Sequence, residues 1–508
     1  MTNNILSKFY YDKVTTAQVY DIAIHTPLNE LPLISEKLNH KILIKREDLQ
    51  PVYSFKCRGA YNKLASMPKT ELENGIIAVS AGNHAQGVAM AAQKIGTHAT
   101  IVMPVTTPPI KVNAVKKIGA SVILKGDNYD DASAYAKKLS NQDLKPLIHP
   151  YDDPDVIAGQ GTIAKEILSD YTGHIDAIFV AVGGGGLISG ISAYIKAIRP
   201  EIKIIGIEPE DAASMTESLK QNSRIILDDV GIFADGVAVR QVGEEPFKLA
   251  QAFVDDMITV TTDEICAAIK DIYDNCRAIA EPAGAVGLAG LKKYSASLKE
   301  KNKTFITLNC GANINFDRLR HVSERAEIGE QKEALFAVEI SETPGSFKQF
   351  IHDIGNRSIT EFNYRFADTE KAQIFVGIEL KKGKKERLDI IRSLETNKYK
   401  IIDLTDNEMA KVHLRHMVGG KSMQNTHERL YRFQFPERPN ALKQFLDKIS
   451  SDWNISLFHY RNHGAAYGRV LIGIQVQSSE NATFNKFLKS CGYRYFDETQ
   501  NPAYSLFL

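Results

Sequence analysis

The sequence predicts an α/β fold for residues 1–320, followed by two smaller α+β units of the ferredoxin-like kind. Three observations lead to this prediction. Short apolar runs rich in β-branched residues alternate with helical patterns between Lys41 and Asn309, which is the order that builds parallel sheets with flanking helices. The alternation ends in a charged stretch, Arg318 to Lys332, and beyond it two segments of the chain repeat each other.

Composition and charge exclude several classes of protein. A chain of 508 residues is too long for one core, and 44% hydrophobic and 24% charged residues are typical of folded proteins. A net charge of +1 provides no field that attracts nucleic acid or an anionic membrane, so we expect a small-molecule partner. No apolar run approaches the roughly 20 residues that cross a bilayer, and we expect a cytoplasmic protein. The cysteines contain no CxxC pair and indicate neither a disulfide framework nor a metal site.

The apolar runs divide the α/β region into strands and helices. The stretches between the runs, such as Gln86–Ile95 and Leu187–Ile198, have the length of helices, and several begin behind a residue that could cap them. The predicted strands are Ile42–Ile44, Ile76–Val79, Thr100–Met103, Val122–Leu124, Ala177–Val182, Ile204–Glu208 and Phe305–Leu308.

The last part of the chain contains an internal repeat. Each copy opens with alternating apolar residues, followed by a proline turn, a helix and two more alternating runs, and this β-α-β-β order is typical of a ferredoxin-like unit. We expect a helical neck over residues 321–333 and repeat units over residues 334–406 and 429–500. Identical residues at matching positions of the two copies are Phe362 and Phe458, Tyr364 and Tyr460, Arg365 and Arg461, and Gly377 and Gly473.

A lysine between a strand and a helix is the first candidate for chemistry. Lys56 lies in the motif SFKCRGA, after the strand pattern KILIKRED and at the start of a helical pattern. Burial lowers the pKa of a lysine amine, and imine formation with an aldehyde cofactor requires a neutral amine. Taken alone, a lysine at a helix start is more commonly a solvated charge.

The motif SAGNH follows a predicted strand and opens a helix. Unpaired N–H groups at a helix N-terminus bind carboxylates, and serine and asparagine side chains add further donors. The alternative interpretation is an ordinary helix cap. The residues concerned are Ser80, Gly82, Asn83 and His84.

A run of four glycines lies between another predicted strand and helix. Such a run is costly in backbone entropy, and the close approach of a phosphate to main-chain N–H groups gives it a purpose. It is not a dinucleotide fingerprint, which would require glycine in place of Ser189, and it lacks the GK[ST] ending of a P-loop. The residues are Gly183, Gly184, Gly185 and Gly186, followed by Leu187.

A reactive lysine, a carboxylate site and a phosphate site together describe a site for pyridoxal phosphate and an amino acid. In chain order, SFKCRGA, SAGNHAQG, VGGGGL, EPAGA and CGAN resemble the fold-type-II pyridoxal-phosphate family of serine/threonine dehydratases. With KREDLQPVYSFK, FADGVAV and VSERAEIGEQ, the chain resembles the long biosynthetic threonine deaminases over essentially its whole length.

The resemblance implies the fold and the reaction. The implied fold is parallel sheets with flanking helices in two subdomains, followed by two ACT-like regulatory subdomains. The implied activity is that of a threonine ammonia-lyase, which converts L-threonine to 2-oxobutanoate and ammonia, and L-serine to pyruvate, at the committed step of isoleucine biosynthesis.

The resemblance also implies a role for each motif. Lys56 forms the internal Schiff base and moves protons at the substrate Cα. Asn83 hydrogen-bonds the ring hydroxyl of the cofactor, and Gly183–Leu187 hold its phosphate. The residues around the substrate carboxylate are Ser80, Gly82, Asn83 and His84.

Four further positions refine the choice within the family. Cys310 faces the pyridine nitrogen, and a neutral partner there weakens the electron sink and favours β-elimination. Ala81 replaces a second serine that racemases use as an acid–base group, which argues against racemisation. Ser214 replaces a carboxylate of the racemases' divalent-metal loop, so we expect no obligatory Mg²⁺. Glu281 lies near the cofactor in relatives, but a helix N-terminal acid is an equally good interpretation.

The repeats resemble the ACT-like domains of biosynthetic threonine deaminases. This implies isoleucine as inhibitor, valine as opposing effector, the neck as transmitter and a homotetramer. The expected effector contacts are Tyr364, Arg365, Tyr460 and Arg461. The alternative is that the tyrosines are half-buried sheet residues and the arginines are solvated.

Two other functions remain open at this point. One is a β-replacement enzyme of the same fold type, similar to cystathionine or tryptophan synthase, which the C-terminal repeats disfavour. The other is an amino-acid sensor on an inactive enzyme scaffold, which the presence of Lys56, Asn83 and the glycine loop disfavours.

Overall fold

The chain forms two units, Met1–Val322 and Ser323–Leu508. The computed structural model describes residues 3–341, 349–350, 353–355, 357, 359–365, 371–416, 427–436, 445, 448, 453–461 and 467–507. Within this part of the chain, none of the helices has the length and apolar character needed to span a bilayer.

Two sheets form the framework of the first unit. Its strands are β1 Leu28–Glu30, β2 Lys41–Arg46, β3 Ile76–Val79, β4 Ala99–Met103, β5 Ser121–Leu124, β6 Ala177–Ala181, β7 Lys203–Pro209, β8 Asp256–Val260 and β9 Thr304–Asn309. The larger sheet has the order β1-β2-β9-β6-β7-β8, with only β1 antiparallel, and the smaller has the parallel order β3-β4-β5. Strands β3, β4 and β6 are buried throughout, as expected for parallel strands covered on both faces.

Helices flank both sheets. They are α1 Asn3–Thr16, α2 Pro32–Leu38, α3 Lys56–Ser66, α4 Lys69–Leu72, α5 Asn83–Ile95, α6 Pro109–Lys117, α7 Tyr129–Asp143, α8 Pro154–Asp170, α9 Gly186–Ile198, α10 Ser214–Lys220, α11 Glu244–Phe253, α12 Thr262–Cys276 and α13 Pro282–Ser297. A further helix, α14 Arg318–Gly329, contains the division between the two units.

Helix α8 supports the two helices that begin at the lysine and at the glycine loop. A Cβ on Gly159 of α8 would lie 2.6 Å from the Cα of Gly59 in α3. A Cβ on Gly161 would lie 2.9 Å from the carbonyl oxygen of Gly190 in α9. These close approaches hold the starts of α3 and α9 against one rigid element.

The predicted α/β architecture is confirmed. Each of the seven predicted strands coincides with an observed strand to within two residues at either end, and the two predicted helices coincide with α5 and α9. The sequence analysis did not identify β1 or β8. Both are edge strands that are only partly buried. β1 has three residues, two of them polar, whereas β8 contains a mostly apolar run, Met257–Val260, that was not recognised as a strand.

The second unit contains two four-stranded antiparallel sheets. The first consists of β10 Glu333–Ser341, β11 Ile359–Arg365, β12 Lys371–Glu379 and β13 Lys400–Asp403, in the order β11-β12-β10-β13. The second consists of β14 Glu428–Pro436, β15 Asn454–Arg461, β16 Tyr467–Gln475 and β17 Arg494–Asp497, in the order β15-β16-β14-β17. The helices are α15 Gly383–Thr396, α16 Glu408–Val412, α17 Asn481–Ser490 and α18 Pro502–Phe507.

The two sheets share an irregularity at equivalent positions, which confirms the internal repeat. The register between β11 and β12 shifts between Ile359 and Glu361, and that between β15 and β16 shifts between Ile455 and Leu457. The predicted helix between the first two strands of each copy falls mostly outside the described residues. Each copy also continues beyond its predicted strands with a helix, α15 or α17, and a fourth strand that completes the sheet.

Candidate functional site

Lys56 is the first residue of α3. Its Nζ donates to the carbonyl oxygen of Pro150 over 3.4 Å. Burial lowers the pKa of the amine to about 8, although the carboxylate of Glu281 acts in the opposite direction. At that pKa roughly one amine in ten is neutral at pH 7, against roughly one in three thousand for an ordinary lysine. Lys56 can therefore act as a nucleophile and as a base near neutral pH.

Arg58 anchors the helix that carries this lysine. Its guanidinium is fully buried and pairs with two carboxylates, Glu47 and Glu166, at distances of 2.6 to 3.0 Å. Each carboxylate accepts two bonds, the geometry in which arginine is held most rigidly. Because Glu47 follows β2 and Glu166 belongs to α8, the pairs connect three elements at the first turn of α3.

The motif Ser80–His84 lies at the start of α5. The N–H of Gly82 donates to Ser80 Oγ over 3.2 Å, and no side chain caps the helix, so its first main-chain N–H groups are available to an anion. His84 Nε2 donates to the Ile148 carbonyl oxygen over 3.0 Å. Burial lowers the pKa of His84 to about 3, with the charge of Lys56 acting in the same direction. The ring is therefore neutral, and the donor of His84 at the helix start is its main-chain N–H.

Asn83 is hydrogen-bonded on both sides of its amide. Its Nδ2 donates to Glu281 Oε1 over 2.6 Å, and its Oδ1 accepts a bond of 2.7 Å from Asn313 Nδ2. Burial raises the pKa of Glu281 to about 7, and the charge of Asp235 adds to this effect. Glu281 also precedes α13, but its carboxylate does not cap that helix. Its side chain therefore belongs to the network around Asn83.

The glycine loop is closely packed on several sides. A Cβ on Gly184 would overlap the ring of Tyr151, and one on Gly186 would lie 2.9 Å from the Tyr151 Cβ. Gly185 has φ 97°, a left-handed conformation that side chains disfavour, and caps α9. A Cβ on Gly183 would lie 2.9 Å from the Cα of Val237. The loop can thus present only main-chain N–H groups at a helix start, which fits a phosphate.

Cys310 follows β9 and is 4% exposed. Its carbonyl oxygen accepts a bond of 3.4 Å from the N–H of Phe55, the residue before Lys56. Burial raises the pKa of the thiol well above its usual value, and the charge of Glu281 adds to this effect. The residue therefore stays a neutral thiol, as a neutral partner for a pyridine nitrogen requires.

A short segment, Ile148–Tyr151, connects the three motifs and was missed by the sequence analysis. Ile148 accepts a bond from His84, Pro150 accepts one from Lys56, and Tyr151 packs against Gly184 and Gly186. The sequence of this segment gives little indication of its role, because HPYDD is typical of a loop before a capped helix. The structure thus brings the lysine, the start of α5 and the glycine loop together around one segment.

Glu208, in the stretch that resembles the racemases' metal loop, contacts the start of α10. Both carboxylate oxygens of Glu208 accept bonds from the start of α10, including those of 2.8 Å from the N–H groups of Met215 and Thr216. The carboxylate is therefore engaged as a helix cap. Across the described ranges, no group of three or more His, Cys, Asp or Glu side chains could hold a metal ion.

The expected effector residues lie on equivalent strands of the second unit. The backbones of Tyr364 and Arg365 pair with β12, and those of Tyr460 and Arg461 pair with β16. Both β11 and β15 are edge strands of their sheets. The side chains of these four residues lie outside the described part of the structure, so their contacts stay a prediction.

Comparison with known proteins agrees with this geometry. Residues 19–311 match the family model described as pyridoxal-phosphate dependent enzyme, and residues 324–414 and 419–508 match the model of the C-terminal regulatory domain of threonine dehydratase. The chain is 51% identical to the biosynthetic L-threonine dehydratase of Burkholderia multivorans, over 98% of this chain and 99% of that protein. It is 49% identical to that of Escherichia coli K12, over 98% and 97% of the two chains.

A solved structure shows the same likeness. The processed form of threonine deaminase isoform 2 from Solanum lycopersicum is 47% identical, with a TM-score of 0.62, over 63% of this chain and 93% of that one. The fold and the lysine and glycine motifs thus define a pyridoxal-phosphate dependent enzyme. Within that class, the chain belongs to the family of biosynthetic threonine dehydratases.

The lowered pKa of Lys56 predicts its reactivity in the cofactor-free chain. Labelling of Lys56 by an amine-reactive reagent should rise with pH through a midpoint near 8, because the neutral amine is the reactive form. Lys63, on the same helix, is a matched control. Burial alone would lower its pKa, but ion pairs with Asp153 and Asp155 raise it, so its labelling should need a higher pH. Peptide mapping by mass spectrometry measures both, and a shared midpoint would contradict the prediction.

The packing of the glycine loop predicts that Gly184→Ala weakens cofactor binding. The new methyl group would overlap the Tyr151 ring and displace the loop, so we expect a pyridoxal-phosphate dissociation constant about tenfold higher or more. Gly96→Ala is the control. It introduces a side chain at φ 84° with open space around it, which costs about 1 kcal/mol of stability but leaves the cofactor affinity unchanged. Wild-type affinity in Gly184→Ala would show that the loop does not hold the cofactor.

Proposed function

We propose that the first unit converts L-threonine to 2-oxobutanoate and ammonia, and L-serine to pyruvate, by pyridoxal-phosphate dependent β-elimination. The observation that carries this proposal is the segment Ile148–Tyr151, which contacts the amine, the carboxylate site and the glycine loop at once. An amino-acid substrate needs an anion site for its carboxylate close to the reactive lysine. The cofactor needs a phosphate site close to both. The likeness to biosynthetic threonine dehydratases over nearly the whole chain supports the substrate.

The residues present fit the cofactor, and each has a separate task. Gly183, Gly184, Gly185, Gly186 and Leu187 would hold the phosphate, Asn83 the ring oxygen and Cys310 the pyridine nitrogen. When bound, pyridoxal phosphate supplies an aldehyde that binds amines covalently and a ring that withdraws electrons from the substrate Cα. Because the Cys310 thiol stays neutral, it gives the ring nitrogen no full positive charge, which limits side reactions that need a long-lived carbanion.

Lys56 carries out the proton transfer. With a pKa near 8 its amine can take the Cα proton at physiological pH. Ser80, Gly82, Asn83 and His84 would orient the substrate through its carboxylate at the start of α5, so that the Cα–H bond faces the lysine. Loss of the β-hydroxyl group with a proton, as water, leaves an enamine, which hydrolyses to the 2-oxo acid and ammonia.

The second unit is proposed to bind isoleucine as inhibitor and valine as opposing effector. The paired positions of Tyr364 and Tyr460, and of Arg365 and Arg461, on edge strands of two equivalent sheets support these residues as effector contacts. We also propose the region limits 1–320, 321–333, 334–406 and 429–500, a homotetramer and a cytoplasmic location.

Glu408 connects the neck helix to the second repeat within the second unit. Its carboxylate, at the start of α16 after the first repeat, accepts bonds of 2.9 and 3.0 Å from Arg325 of α14 and of 2.8 Å from Arg469 of β16. Burial alone would raise the pKa of Glu408, but the two arginines outweigh it and hold the pKa below its usual range. Arg469 pairs in register with Arg461, one of the proposed effector residues. A change at that strand pair can therefore reach the neck through one carboxylate.

The central prediction is 2-oxobutanoate formation from L-threonine by the purified chain with pyridoxal phosphate. Lys56→Ala should lower kcat at least about hundredfold, because the base that takes the Cα proton is lost. Lys63→Ala on the same helix should retain activity, and isoleucine should suppress the wild-type rate. Product analysis with an added thiol separates the alternatives. A thioether product would favour β-replacement, and no product from any amino acid would favour a sensor on an inactive scaffold.

The Glu408 contacts predict that Glu408→Gln loses inhibition by isoleucine while retaining the uninhibited rate. The concentration for half-inhibition should rise about fivefold or more, the scale of ordinary allosteric coupling. Asp406→Asn is the matched control, since Asp406 is 82% exposed and pairs only with Arg387 among the described ion pairs. Inhibition curves and thermal unfolding are measured for both variants. If Glu408→Gln is folded and inhibited like the wild type, the carboxylate does not transmit the signal.

A further inference from the structure

Asn313 lies at one end of a chain of hydrogen bonds that passes through Asn83. Its Nδ2 donates to the carbonyl oxygen of Val52 over 2.9 Å and to Asn83 Oδ1 over 2.7 Å. Asn83 Nδ2 in turn donates to Glu281 Oε1 over 2.6 Å. Neither the motifs of the sequence nor the family comparison assigns a role to Asn313.

The main-chain carbonyl of Val52 determines the direction of the whole chain of bonds. A carbonyl oxygen can only accept, so the group of Asn313 that faces it must be the NH₂ group. That NH₂ group uses its second hydrogen toward Asn83, whose facing atom must therefore be the oxygen. The NH₂ group of Asn83 therefore faces Glu281. One of its two hydrogens bonds Glu281 Oε1, and the other is available to a further acceptor.

The segments that carry these residues are fixed to each other. The N–H of Ala312 donates to the Tyr53 carbonyl oxygen over 2.9 Å, and Ser54 forms an isolated antiparallel bridge with Gly311. A Cβ at Gly311 would lie 2.6 Å from Glu281 Oε1, so glycine at this position leaves room for the carboxylate. Asn313 is thus held at a constant distance from the start of the helix that carries Lys56.

We propose that Asn313 is a positioning residue that makes Asn83 a hydrogen-bond donor toward the ring oxygen of the cofactor. The inference rests on the proposed function, in which Asn83 contacts that oxygen. A donor stabilises negative charge on the ring oxygen, whereas a reversed Asn83 amide would present its own oxygen and repel it. Asn313 accordingly acts through Asn83.

The test compares Asn313→Asp, Asn313→Ala and Asn83→Ala in the full-length holoenzyme. An aspartate at position 313 can only accept, so it repels the Val52 carbonyl and draws the Asn83 NH₂ group away from Glu281. Two readouts besides activity are the pyridoxal-phosphate dissociation constant and the pH dependence of the visible absorption of the bound cofactor. Asn315→Asp is the matched control, because Asn315 Oδ1 only accepts a bond from Asp317 N–H and an aspartate can do the same.

For Asn313→Asp we expect a dissociation constant about tenfold higher or more, the cost of one lost hydrogen bond to a charged group. We also expect the midpoint of the absorption change to rise by about one pH unit, because the bound cofactor holds its proton more tightly without the donor. Asn313→Ala, which leaves the Asn83 amide oriented by Glu281 alone, should show the same changes to a smaller extent. Asn315→Asp should match the wild type in both readouts.

The outcomes separate this proposal from the function on which it rests. If Asn83→Ala changes the affinity and the absorption midpoint but both Asn313 variants match the wild type, the positioning role is overturned and the contact of Asn83 with the cofactor stands. If Asn83→Ala matches the wild type, the contact itself is overturned, and the positioning role with it. Circular dichroism identifies a variant that fails to fold, and Asn313→Ala then carries the test in place of Asn313→Asp.

Discussion

The fully buried charge of Arg58 is the constraint on which the first unit depends. A guanidinium removed from water is tolerated only when it is paired, and removing one partner of such a pair costs about 3 to 5 kcal/mol. Here Glu47 and Glu166 supply the counter-charges of Arg58. Lys45 lies 2.8 Å from Glu166 and 3.0 Å from the partly exposed Asp170, so that two cations meet three anions. The cluster joins β2, the first turn of α3 and α8. The position of Lys56 follows from the position of Arg58, because both lie in the same helical turn.

Much of the framework could be predicted because its residues follow simple periodic rules. Each central strand of the larger sheet contains a run of apolar residues, although β2, β7 and β9 also carry polar or charged residues. β1 and β8 are edge strands that are only partly buried, and they are harder to distinguish from loops in the sequence. The part of the site that could be predicted consists of residues that lie close together in the sequence. Lys56 and the glycine loop are recognisable within a few residues of sequence.

The rest of the site depends on contacts between distant residues, which no local pattern reveals. The bond from Asn83 to Glu281 joins residues 198 positions apart, and that from Asn313 to Asn83 joins residues 230 positions apart. The glycine loop illustrates the same limit. Its sequence indicates that something approaches the main chain closely, but only the structure shows that Tyr151, Val237 and Pro246 occupy the other sides. Packing within the protein is therefore a second reason why these positions are glycine, beside the approach of a ligand to the main chain.

The charge cluster around Arg58 has a consequence for how the enzyme matures. All of its groups belong to the polypeptide, so the reactive amine is in place before any cofactor arrives. None of these ion pairs requires the cofactor, so the contacts that position Lys56 do not depend on cofactor binding. We therefore expect a chain synthesised while the cofactor is scarce to hold Lys56 in place and to bind the cofactor after it has folded.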